Sequence, residues 1–199
     1  MRPCFLFLEF QSPRPSYILR QNSVMKEADM DDKKNIPIEA QTRIGHVHLK
    51  VSDLERAARF YTEMLGFKVT ARMGQSAAFL SAGGYHHHIG LNIWESEGGS
   101  PPPRGSTGLY HFAILLPSRR EFARAILRLQ EHNRPLEGAA DHGVSEAVYL
   151  RDPVKKGIEI YVDRPRDEWP CGIEGEIILF NHPLDIEGLI AEYREKDKQ

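Results

Sequence analysis

From Ile44 to Val51 apolar and polar side chains alternate: Val47, Leu49 and Val51 fall on one side, His46, His48 and Lys50 on the other. That is the period of a strand with one buried face. Ser52-Asp53-Leu54-Glu55 follows as a capping box. Leu54, Ala57, Ala58, Tyr61, Met64 and Leu65 then recur at helical spacing until Gly66 stops the run. About 65 residues on, the plan returns. Gly108–Leu116 sets Phe112, Ile114 and Leu116 against His111, Ala113 and Leu115, and Ser118-Arg119-Arg120-Glu121 is a second capping box. Phe122, Ala125, Ile126 and Leu129 carry the apolar stripe, which Asn133 can end.

Three strand-like pieces follow each helix: Phe67–Met73, Ser76–Ser81 and His86–Trp94, then Pro135–Ala139, Val144–Leu150 and Lys156–Val162. Gly83-Gly84 punctuates the first set; Asp152-Pro153 and Gly157 frame a turn in the second. The plan is strand–helix–strand–strand–strand, twice. Neither four-stranded sheet can cover its own face, so the fold class predicted is α+β, two paired βαβββ modules forming a curved, partly open barrel around a metal site. The first module takes residues 41–96, a Gly/Pro-rich linker 97–107, and the second module 108–165. Residues 166–199 form a C-terminal extension. Arg164–Pro170 reads as a structural exit, and Leu184–Tyr193 as a short amphipathic helix. That helix has the body or a neighbouring subunit to pack on, which leaves a homo-oligomer open. Residues 1–40 lack periodicity and carry a polar stretch from Lys26 to Asn35, the pattern of a disordered extension. Met25 or Met30 is an alternative start.

Composition narrows the function. With 199 residues, 41% hydrophobic and 27% charged, the chain is ordinary for a soluble globular protein. A formal charge of −2 gives no pull towards nucleic acid or an anionic membrane. No apolar run approaches the roughly 18 residues of a membrane span. Cys4 and Cys171 form no spaced pair, which argues against a disulfide framework or a cysteine zinc site. The short apolar run Cys4–Leu8 meets Glu9 with no cleavage site after it, so cytoplasmic is the default location.

His46 and His111 occupy matching places in the two repeats, and Glu159 stands in the last strand. Two imidazoles and one carboxylate can hold Fe(II) or another divalent ion with coordination positions open. By strand parity Ile158, Ile160 and Val162 oppose Glu159 and Tyr161, while Val148 and Leu150 oppose Tyr149. His87, Ile89 and Leu91 oppose His86, His88 and Gly90. If helices cover the apolar faces and the sheets curl, His46, His111, Glu159, Tyr149 and His88 converge inside the cup. Adjacent strand residues point opposite ways, so His86, His87 and His88 cannot all chelate one ion. His48 reads as pocket lining, Tyr149 as an active-site or barrel-capping residue, and His142 as a turn residue or a partner behind the site.

His46-Val47-His48-Leu49-Lys50-Val51-Ser52-Asp53-Leu54, through Phe60-Tyr61 to Leu65-Gly66-Phe67, resembles the opening of the vicinal oxygen chelate superfamily. Tyr149-Leu150-Arg151-Asp152-Pro153 to Gly157-Ile158-Glu159-Ile160-Tyr161 resembles its closing motif. Gly84–Asn92, Gly108–Pro117 and Asp141–Glu146 look most like small bacterial catechol-2,3-dioxygenase-type proteins. The resemblance covers roughly residues 42–170. It implies paired βαβββ modules around one metal, with His46, His111 and Glu159 at the ligand positions and Tyr149 at the active-site tyrosine. The fourth-ligand position of glyoxalase-like members falls near Gly90. The ring-cleaving members carry a further histidine before the second ligand; Ser96–Tyr110 holds none here, leaving His88 or His142 as proton carriers.

The function this implies is an Fe(II)-dependent extradiol ring-cleaving dioxygenase acting on a small aromatic diol and O2. One alternative is a glyoxalase-like lyase or isomerase, or a thiol transferase, using Mn(II), Ni(II) or Zn(II) as Lewis acid. The other is a non-catalytic, resistance-type binding protein.

Overall fold

The computed structural model describes residues 36–196, in two units, 1–42 and 43–199. In the first unit only residues 36–42 are described, a short turn in which Thr42 N donates to the Glu39 carbonyl at 3.0 Å. The expectations of disorder up to residue 40 and of an internal start at Met25 or Met30 fall mostly outside the described residues.

Both repeats lie in the second unit. The first is β1 (Val47–Lys50), α1 (Leu54–Arg59), β2 (Lys68–Met73), β3 (Ala77–Ser81) and β4 (Ile89–Asn92). The second is β5 (His111–Leu115), α2 (Arg119–Glu131), β6 (Gly138–Asp141), β7 (Ser145–Arg151) and β8 (Gly157–Asp163). Sheet orders are β1-β4-β3-β2 and β5-β8-β7-β6, each opening strand lying parallel to the last of its module. A short β9 (His182–Pro183) adds to the edge of the second sheet through β6, and α3 (Ile186–Lys196) ends the described chain. The two sheets share no ladder, so the expected α+β double module is present but its strands do not close into one barrel.

Local chemistry explains the elements. The cap of α1 is Asp53 rather than Ser52: its carboxylate accepts from Arg56 N at 2.9 Å. Ser118 caps α2 as expected, accepting from Glu121 N at 3.3 Å. Asn133, at φ 53°, leaves α2 in the left-handed conformation that asparagine tolerates. Beyond α1 the helix widens to a π-turn, Phe60–Met64, and closes with Phe67 N donating to the Tyr61 carbonyl at 3.1 Å.

Helix-side residues of both sheets merge into one core. Leu54, Tyr61, Leu80 and Leu91 of the first module join Phe112, Phe122, Ile126 and Ile158 of the second. The Tyr61 and Phe112 rings meet across the boundary at 6.4 Å between centroids. A polar network ties the C-terminal helix to the second sheet. Buried Glu146 accepts from Arg119 Nε at 2.7 Å and from Arg164 at 3.0 Å, and Arg119 also pairs with Glu192 of α3. No helix among the described residues is long and apolar enough to cross a membrane.

Candidate functional site

Register builds the site on the open face of the second sheet. Tyr149 on β7 stands directly across from Glu159 on β8. His111, at the start of β5, stands across from Gly157, two residues before Glu159 on the same strand. Period-two alternation therefore turns all three side chains to one face, and a one-residue slip would send any of them into the core. The buried neighbours Ile158, Ile160, Val148 and Leu150 hold that register.

The side chains form a continuous row. His111 Nε2 lies 3.0 Å from Glu159 Oε2. The Tyr149 hydroxyl donates to Glu159 Oε1 at 3.0 Å and lies 2.7 Å from His142 Nε2. His142 Nδ1 is 3.0 Å from the carbonyl of Phe180. Burial, and then the Glu159 carboxylate, push the Tyr149 phenol up to about 12, so it stays a hydrogen donor across the neutral range. His111, His142 and Tyr149 of this row line an open cavity of about 400 Å³, a size suited to a small molecule. At its wall Arg151 is already engaged: Nε donates to Glu137 at 2.9 Å and Nη1 to the Lys155 carbonyl at 2.9 Å. The cavity therefore offers hydroxyl, imidazole and carboxylate groups more than a free cation.

His111 and Glu159 fit a divalent ion as two of its donors. Donor atoms about 2.1 Å from one metal and at right angles to each other stand ~3 Å apart, the separation seen here. Their side chains are 32% and 13% exposed, and His111 lines the cavity. Among the described residues no three histidine, cysteine or carboxylate side chains gather around one point.

The expected convergence is thus partial: His111, Glu159, Tyr149 and His142 come together, and His46 and His88 do not join them. His46 precedes β1, exposed on the open face of the other sheet. Its ring packs 4.4 Å from His87 and 6.5 Å from His86, because the two sheets do not close on each other. His86–His88 lies outside β4, so strand alternation does not govern it. His88 Nδ1 is instead held by Ser81 Oγ at 3.1 Å and Ala82 N at 3.3 Å, and His87 turns to Phe79 rather than to the core. His48 lines the first sheet's open face, its ring filling the space where Gly90 lacks a Cβ. Sequence reasoning missed Phe180 and Asn181, which reach the site from outside the repeat; no periodic signal marks them.

The model of the Glyoxalase/Bleomycin resistance protein/Dioxygenase superfamily matches residues 43–162, and the chain belongs to that superfamily. Catechol-2,3-dioxygenase of Bacillus subtilis (strain 168) is 41% identical over 162 residues, 81% of this chain and 55% of that protein. Biphenyl-2,3-diol 1,2-dioxygenase 3 of Rhodococcus globerulus is 27% identical over 123 residues, 61% of this chain and 63% of that one. The chain thus spans less than two thirds of either relative. A glyoxylase/bleomycin resistance protein/dioxygenase domain from Frankia sp. EAN1pec superposes with a TM-score of 0.52 at 25% identity, covering 62% of this chain and 98% of that one.

Proposed function

We propose that this protein is an extradiol dioxygenase that opens a catechol-like ring with O2, using Fe(II) held by His111 and Glu159. The observation that carries this reading is the Tyr149 hydroxyl set between Glu159 Oε1 and His142 Nε2 at the edge of an open cavity. Likeness to a catechol-2,3-dioxygenase supports it. When bound, the metal would supply the coupling between an aromatic diolate and O2 that organic side chains lack. Mn(II) is the nearest alternative ion, since a related 2,3-dihydroxybiphenyl dioxygenase is manganese-dependent by name.

The chain's own residues would do the rest. Glu159 would offer Oε2, the oxygen beside His111, to the ion, while Oε1 accepts from the Tyr149 hydroxyl, which fixes the carboxylate's orientation. Tyr149 sets its hydroxyl oxygen at the cavity's edge, with its proton retained at neutral pH and held by Glu159. His142, beyond it, can take a proton from a bound diol and return it to the opened product. Tyr110 and Tyr149 supply aromatic cavity wall beside the polar groups. His46 is proposed as a third ligand on its place in the repeat; it would reach the pair through a movement of the first sheet or from a second copy. His88, tied to Ser81, is not given a role in proton transfer.

The test is anaerobic loading with Fe(II), then O2 uptake with catechol and substituted catechols while watching for the yellow ring-opened product. O2 consumed one-for-one with diol, and lost in His111→Ala and Glu159→Ala, is the expected outcome. Metal binding with no O2 uptake on any diol would move the assignment to Lewis-acid chemistry within the same superfamily.

A further inference from the structure

The chain that leaves the second module belongs to neither repeat, yet it passes along the candidate site. Trp169 Nε1 donates to the Arg164 carbonyl at 2.8 Å, and the Arg166 guanidinium lies 4.3 Å from the Trp169 ring centroid, which fixes the exit from β8. Ile178 N donates to the Pro170 carbonyl at 2.8 Å, closing the intervening loop on itself. β9 then pairs with β6, placing His182 opposite Asp141. Between these anchors Phe180 meets the turn that carries His142 twice over. Its N–H points to the His142 carbonyl at 3.4 Å, and its own carbonyl lies 3.0 Å from His142 Nδ1. The Phe180 ring occupies the space over Gly143, where a Cβ would stand 2.6 Å from it, and His182 stacks on that ring at 4.3 Å. Gly143 is at φ +80°, a conformation that side chains with a Cβ rarely adopt.

A carbonyl oxygen can only accept, so the contact with Phe180 requires the hydrogen on His142 Nδ1. The partner of one ring nitrogen decides the state of the other. We propose that the main-chain carbonyl of Phe180 is a positioning group of the site: it fixes His142 with Nδ1 protonated and aims the Nε2 lone pair at Tyr149 and the cavity. The catalytic value of this arrangement rests on the dioxygenase reading; the tautomer itself does not. Free imidazole side chains in water favour the opposite tautomer, with hydrogen on Nε2. Left unanchored, His142 would more often show the cavity a donor than an acceptor. Anchored, Nε2 is a second acceptor beside Glu159 Oε1 for the single Tyr149 hydrogen, which can turn from the carboxylate to the imidazole. It can also take the proton of a diol hydroxyl in the cavity, the O–H bond breaking as N–H forms. The same segment sets Asn181 in the cavity wall, so the C-terminal chain contributes both orientation and lining.

The test is the ring ¹⁵N spectrum of the metal-free full chain at alkaline pH, where imidazoles are neutral. The His142→Gln variant identifies the His142 signals by their disappearance. A fixed Nδ1–H tautomer at His142 is expected; an Nε2–H tautomer, or the averaged mixture of a free side chain, overturns the proposal. Phe180→Ala removes the ring that pins the segment over Gly143. There the fixed tautomer should give way to the averaged mixture, with kcat for ring cleavage falling about 10–100-fold and KM changing less than about twofold. A folded Phe180→Ala protein that keeps the wild-type tautomer also overturns it. If that variant does not fold, the wild-type spectrum decides alone. An Nδ1–H tautomer in a protein that cleaves no diol would remove the dioxygenase reading and leave the role of Phe180 standing.

Discussion

The Tyr61 hydroxyl donates to Asp152 Oδ2 over 3.1 Å, joining the helix of the first module to the closing turn of the second inside the core. Tyr61 is 0% exposed and Asp152 3%. The other Asp152 oxygen accepts from Val154 N at 2.9 Å and Lys156 N at 2.8 Å. Burial, and then the charge of Asp152, raise the Tyr61 phenol well above its ordinary range; burial also raises the Asp152 carboxyl, against those hydrogen bonds. Tyr61→Phe leaves a buried carboxylate oxygen without its donor, and should cost about 1–3 kcal/mol of stability. Urea denaturation measures it; a loss near zero would mean water replaces the phenol.

Alkaline stability follows from two tyrosines. Tyr61 and Tyr149 are both raised in the folded state, the latter to about 12, while an unfolded tyrosine titrates near ~10. The unfolded chain therefore releases protons first. Their contribution to stability is fully present below pH ~10 and is lost as pH rises through the folded values. Melting temperature should fall steeply from about pH 10 upward, and more gently in Tyr149→Phe. Identical slopes in the two proteins would show that Tyr149 is not linked to folding.

Metal affinity separates the proposed ligands. His111→Ala and Glu159→Ala should each weaken Fe(II) or Mn(II) binding by more than about tenfold, read by equilibrium dialysis. His46→Ala carries a different signature. If His46 comes from a second copy, its loss matters only at concentrations where the protein self-associates, and wild-type affinity rises with protein concentration. Equal affinity in His46→Ala at every concentration would remove His46 from the set.

Tyr149→Phe should keep the metal, because Glu159 retains both oxygens for the ion, yet lower kcat by roughly 10²-fold if the hydroxyl acts in proton transfer. Metal content and single-turnover rates measure the two separately. Loss of metal in this variant would mean that Tyr149 serves to orient Glu159 and nothing more.

Glu146 tests the tether of the C-terminal chain. Its carboxylate is 4% exposed, while its partners Arg119 and Arg164 remain partly in water. Glu146→Ala should cost about 1–3 kcal/mol, and proteolysis near α3 should quicken. Unchanged proteolysis would place the hold on α3 in its apolar contacts, Leu189 and Ile190.

The strand–helix–strand–strand–strand plan was legible twice over in the chain, because period-two and period-3.6 patterns are local and hydrophobic burial enforces them. So was the shared face of Tyr149, Glu159 and His111, since alternation and neighbouring core residues leave one register. Alternation failed at His86–His88, just before β4: the His88 backbone bonds to Leu80 and Val47 on either side, yet its ring is held by Ser81. It also could not decide whether two sheets close into one barrel, for that depends on contacts between elements far apart in sequence. The tertiary structure alone left His46 beside His87, and it alone brought Phe180 from beyond both repeats to His142. Sequence determines which side chains share a face of one sheet; only packing determines which faces and which distant segments meet.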